Sequence, residues 1–109
     1  MKMGFGAQKV ESEFRRDDRF QTNYYATGEH SHLGQLVLKV VNLSSTGAMV
    51  DGKAGVERGD KIILRLPAGK DVDALCLWTW HQQAGLQFDK PISFADLAST
   101  VGIMKAIRI

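Results

Sequence analysis

Hydrophobic and polar positions alternate along much of this chain from Phe20 onward. Gln35–Val41 sets Leu36, Leu38 and Val40 against Gln35 and Lys39, and Lys61–Leu66 sets Ile62, Leu64 and Leu66 against Lys61 and Arg65. A period of two is the mark of a half-buried strand. Phe20–Ala26, rich in strand formers, predicts another strand, as do Gly47–Asp51, Asp71–His81 (carrying Leu75, Cys76, Leu77, Trp78 and Trp80) and Gly85–Phe88. Thr27–Gly34 (TGEHSHLG) reads as a loop, and Asp51-Gly52 and Pro67-Ala68-Gly69 as turns. After Asp89-Lys90-Pro91 the period changes. Phe94, Leu97, Ala98, Val101 and Met104 fall on one helical face, and Ser93 followed by Asp96 resembles a capping box. The pattern predicts a helix from about Phe94 to Ile107, with Lys105 and Arg108 in its last turn, where cations suit the helix dipole.

Six short strands separated by tight turns, followed by a helix, predict an all-β domain with a C-terminal helix, either an antiparallel barrel or a sandwich. The apolar stripe of the helix would cover one open end or face. Residues 1–13 have no sustained period and read as a flexible N-terminal tail, leaving residues 14–109 as a single domain with strands at about 20–89 and the helix at about 93–107.

Composition narrows the possible functions. A chain of 109 residues, 44% hydrophobic and 24% charged, is one globular domain with a small core and little room for a deep catalytic cleft. No apolar run is long enough to cross a bilayer, and the first ten residues lack the apolar stretch of a signal peptide, so a cytoplasmic protein without membrane insertion is expected. A net charge of +2 is too small for a partner that is a nucleic-acid polymer. Cys76 stands alone, cannot close an intramolecular disulfide, and reads as a buried thiol. His30 and His32 could chelate a metal, but no carboxylate or cysteine set accompanies them, and a solvated loop is the simpler reading. With no phosphate-cradling glycine loop and no paired carboxylates, neither an enzyme nor a cofactor is expected.

Two polar segments remain. Phe14-Arg15-Arg16-Asp17-Asp18-Arg19-Phe20 contains an R-x-x-x-R spacing just before the first strand, and Asn42-Leu43-Ser44-Ser45-Thr46-Gly47 forms an N-x-S-x-x-G turn into the third. In this order, within a strand-rich body closed by a helix, they resemble the signature of the PilZ domain family, from about Arg15 to the C-terminal helix. That resemblance implies a six-stranded antiparallel β-barrel that binds the bacterial second messenger cyclic di-GMP. It further implies a stand-alone receptor or adaptor that acts on an unidentified effector protein in motility, biofilm or exopolysaccharide control. The site it implies comprises Arg15, Arg16, Arg19, Asn42, Ser44, Gly47 and Trp80. Phe14 stands where some relatives carry another arginine.

These residue types suit the ligand. Arginine forks onto phosphate oxygens or onto guanine O6 and N7 and also stacks on a base, whereas lysine keeps only the charge. Asn42 offers both a donor and an acceptor to a guanine edge, and Ser44 offers a hydroxyl. Gly47 answers a backbone need, either positive φ or close approach of ligand to main chain. Trp80 offers an aromatic wall, with barrel packing as its plainer alternative; Trp78, on the same strand face, poses the same choice. Ligand would draw the arginine segment against the barrel at Asn42 and Ser44, leaving Asp17 and Asp18 displaced or exposed for a partner to read. Two other functions fit the same residues: a nucleotide-independent interaction barrel whose arginines dock an acidic partner, and a single-stranded nucleic-acid barrel, which the low aromatic content of 8% disfavours.

Overall fold

The computed structural model describes residues 18–52, 55–67 and 69–108. Its strands are β1 (Phe20–His30), β2 (Gly34–Leu43), β3 (Gly47–Asp51), β4 (Lys61–Leu66), β5 (Lys70–Trp80) and β6 (Gln83–Phe88), followed by helix α1 (Phe94–Met104) and the two-residue β7 (Ile107–Arg108). All pairings are antiparallel. The order β2-β3-β6-β5-β4-β1 closes on itself through β1 and β2, giving a six-stranded barrel. Closure removes the long open edge that such a sheet would otherwise present.

The alternation seen in the sequence becomes the inside of the barrel. Leu38, Val40, Leu43, Val50, Ile62 and Leu64 are fully buried, while Lys61, Ile63 and Arg65 on the same β4 strand face out. Helix α1 starts where Ser93 caps it, the Ser93 hydroxyl accepting the Asp96 N–H at 3.1 Å. It buries Leu97, Thr100, Val101 and Met104 against the core. Cys76 is buried.

Two boundaries differ from the sequence expectation by more than two residues. The segment read as a loop at Thr27–Gly34 is mostly strand, because Thr27–His30 pairs on both sides, with Val37–Gly34 of β2 and with Arg65–Ile62 of β4. Only residues 31–33 turn. His30, expected in a solvated loop, therefore ends β1 with its side chain buried, and its ring organises the turn. Nδ1 accepts the N–H groups of His32 and Leu33 at 2.9 and 3.0 Å, so the ring proton sits on Nε2 and donates to Asp60 Oδ2 at 2.7 Å. Among the described residues no group of three or more His, Cys, Asp or Glu is placed to hold a metal.

The second difference lies at the end of the helix. Lys105 adopts φ 55 and ψ 44, its N–H bonds Gly102 O, and the Ala106 N–H bonds Val101 O at 3.0 Å. This Schellman-type closure stops α1 at Met104. Ile107 and Arg108, expected in the last helical turn, instead pair with Gln21 and Phe20 as β7.

The Asp60 contact yields a pH prediction. The Glu57 backbone N–H, and after it the His30 ring, hold the Asp60 carboxyl below its ordinary value of 3.8. A carboxylate held low stabilises the fold above the unfolded-state value, and that contribution is lost as pH falls through the lower folded value. The midpoint of thermal unfolding is therefore expected to drop as pH is lowered from about 4, and Asp60→Asn should flatten that drop while lowering stability at neutral pH. A melting series by circular dichroism checks both.

Candidate functional site

Strict alternation would turn Asn42 and Trp78 into the core, since Val40 and Cys76, two residues earlier on their strands, are both buried. Neither enters it. Between β2 and β3 the register shifts from Val40↔Val50 to Asn42↔Met49, leaving Val41 as an extra residue. Between β5 and β6 it shifts from Cys76↔Leu86 to Trp78↔Gly85, leaving Leu77 as the extra residue. A bulge of one residue flips the side chains beyond it to the other face. Together the bulges bring Asn42, Met49, Gly85 and Trp78 into one register row, β2 to β3 to β6 to β5, on the outer wall of the barrel. At roughly 5 Å per strand, the row is about 15 Å long.

Each end of the row is specified. Asn42 is half-buried, and Arg19 Nη1 donates to its Oδ1 at 3.3 Å. The last arginine of the R-x-x-x-R segment is thus seated on the first residue of the N-x-S-x-x-G turn. At the opposite end the Trp78 ring lies over Gly85 so closely that a Cβ built there would fall 2.1 Å from Trp78 Nε1. Glycine at position 85 is what allows the indole to lie against the barrel wall, its outer side in solvent at 41% exposure.

The turn between β2 and β3 is held internally. The Ser44 N–H donates to Gly47 O at 2.9 Å, and Ser44 Oγ accepts the Thr46 N–H at 3.3 Å. The Phe88 N–H reaches Thr46 O and the Ile92 N–H reaches Ser45 O, both at 2.8 Å, fastening the turn to the end of β6 and to the approach to α1. Ser44 and Ser45 are buried, so Ser44 shapes the turn from within. Gly47 does not take positive φ; its need for no side chain comes from β6, where a Cβ would sit 2.4 Å from Leu86 O. The close approach is one of strand to strand.

Of the residues singled out in the sequence, the structure brings Arg19, Asn42, Ser44 and Gly47 together. Arg15 and Arg16, with the tail at 1–13, lie outside the described residues. Trp80 is neither packed in the barrel nor in the Asn42 row. It pairs with Gln83 in the next outward row, is 67% exposed, and stacks edge-on with His81 at 4.1 Å. Met49 is the row residue that the sequence did not single out, and Trp78 the one it left between ligand wall and barrel packing, because each depends on a register shift that alternation cannot reveal. A separate groove of about 710 Å³ lies on the wall made by the end of β1 with β4, β5 and β6.

No protein-family model matches the sequence, and a search by sequence finds no match among curated proteins. Among solved structures, the chain is similar to the Bacillus subtilis inhibitor of motility (MotI/DgrA), with a TM-score of 0.53 and 17% sequence identity, over 84% of this chain and 50% of that one. The chain thus spans about half the length of that structure. A likeness at this identity supports the six-stranded barrel with its helix and does not extend to the site.

Proposed function

We propose that this chain is a cyclic di-GMP receptor of PilZ type. The observation that carries the reading is the Arg19–Asn42 hydrogen bond of 3.3 Å, which joins the two signature segments on one strip of barrel wall. Each partner has what a guanine nucleotide needs. Arg19 supplies a guanidinium for phosphate oxygens or for guanine O6 and N7, and Asn42 Oδ1 accepts from guanine N1 and N2. In the free protein these two groups satisfy one another. On binding, the ligand takes the place of each for the other, so no polar group is left without a partner. Arg15 and Arg16 would add charge to the phosphates, and Met49 and Trp78 would bed a base. Ser44 and Gly47 act by holding the turn that presents Asn42.

In this reading the chain carries no catalytic activity and needs no cofactor. It works in the cytoplasm, where occupancy repositions the arginine segment and an effector protein responds. The structural neighbour is an inhibitor of motility, which favours a motility effector over the other outputs.

Isothermal titration calorimetry with cyclic di-GMP tests the reading. Binding in the micromolar range is expected, with Arg19→Ala and Asn42→Ala each weakening it by roughly 10- to 150-fold, the equivalent of about 1.5–3 kcal/mol for a charged hydrogen-bonding partner. No heat of binding at submillimolar nucleotide, or undiminished binding by both variants, would overturn it. If the same chain then captured an acidic partner regardless of nucleotide, the interaction-barrel alternative would take its place.

A further inference from the structure

The groove over β1, β4, β5 and β6 has a composition of its own. Register places Glu29, Ile63 and Asp73 in one outward row, with Lys61 and Leu75 in the next. Asp89 joins beside Asp73, its N–H bonding Asp73 O at 2.8 Å. Ile63 and Leu75 are therefore diagonal neighbours on the floor, exposed by 37% and 38%. Around them stand three carboxylates and one ammonium, on a chain whose overall charge is +2. Glu29 is held by Arg65 at 3.4 Å, while Asp73 and Asp89 form no ion pair among the described residues.

We propose that this groove docks an extended segment of a partner protein in which a basic and an apolar residue stand two positions apart, on one face. Three features select that occupant. First, β4 is hydrogen-bonded to β1 and β5, and β5 to β4 and β6, so the floor offers no strand edge and the partner must be recognised by its side chains. Second, successive outward rows are about 7 Å apart, the distance between every second residue of an extended chain. Third, an apolar side chain seated over Leu75 and the edge of Ile63 puts the residue two positions away, which shares its face, over Asp73 and Asp89, where lysine or arginine is complementary. The groove is separate from the Asn42 row, so the inference stands whether or not the nucleotide reading holds.

The probe is an acetylated, amidated decapeptide, GSKTLTKTLG, which sets lysine and leucine in turn on one face of an extended chain, added to the isotope-labelled full chain and followed by amide NMR, with the glutamate analogue GSETLTETLG as control. Expected are shifts clustered at residues 61–63, 73–75 and 87–89, submillimolar affinity, and no response to the control. The double variant Asp73→Lys/Asp89→Lys, altered only at exposed positions, should bind at least tenfold more weakly while keeping its spectrum dispersed. Scattered shifts, equal binding of the control, equal binding by the double variant, or no shifts at millimolar peptide would each overturn the proposal. So would a dimer by sedimentation that Leu75→Ser abolishes, since a second copy would then be the occupant.

Discussion

Gly47→Ala is expected to destabilise the barrel by about 3 kcal/mol, the upper part of the range for forcing a methyl group into filled space. The added Cβ would lie 2.4 Å from Leu86 O, a backbone atom, and both positions are set by backbone fixed in the β3–β6 pairing of Gly47 with Gln87 and Ala48 with Leu86. No side chain can rotate to relieve the contact. The strands must part, and with them the bond from Phe88 N–H to Thr46 O that pins the turn. For a domain of this size the unfolding midpoint should fall by roughly 10 °C. Gly102→Ala is the internal control. It sits on the exposed side of α1 with nothing within 4 Å of a built Cβ, and the change should raise stability by about 0.5–1 kcal/mol. Thermal melts of the two variants would have opposite signs; equal effects would mean that strand proximity is not what position 47 requires.

Under the proposed function, Trp78→Ala is expected to weaken cyclic di-GMP binding by roughly 5- to 150-fold, the loss of one base stack of about 1–3 kcal/mol. Trp80→Ala should change affinity by less than about twofold, although Trp80 is the more exposed of the two rings at 67% against 41%. The reason is register. Trp78 shares a row with Asn42 through Met49 and Gly85, whereas Trp80 shares one with Gln83, Asp51 and Lys39. Gly85→Ala should reproduce much of the Trp78 loss with both indoles present, because a Cβ 2.1 Å from Nε1 lifts the ring off the wall. Calorimetry on the three variants separates the cases. An affinity that follows Trp80 and not Trp78 would place the bases one row further along the barrel.

Much of the barrel was legible because its strands obey one rule. Leu36-Val37-Leu38-Lys39-Val40 and Lys61-Ile62-Ile63-Leu64-Arg65-Leu66 alternate as half-buried strands must, and the Ser93 cap marks where α1 begins. What escaped is where a rule is interrupted. Thr27-Gly28-Glu29-His30 is polar enough to pass for a loop, and only pairing to β2 and β4 together makes it strand. Ile107 continues an apolar pattern, but the reversal at Lys105 depends on backbone bonds that no side-chain period encodes. The same holds at the site. Asn42 and Gly47 stood out by motif, and Arg19 by its spacing. The partner row could not be read, since an extra residue in a strand is invisible until its neighbour's register is known. Two such residues, Val41 and Leu77, decide which faces Asn42 and Trp78 occupy.

The small β7 strand has a bearing on how this domain can be joined to others. Ile107 and Arg108 lie in register with Gln21 and Phe20, so the polypeptide leaves the barrel where the arginine segment arrives. Whatever is attached beyond Arg108 would therefore start next to Phe20, beside Arg19 and its hydrogen bond to Asn42. Under the proposed function, a module fused on that side would crowd Arg19, making the junction itself a steric dial on cyclic di-GMP affinity, set by the bulk and stiffness of the first few residues of the linker.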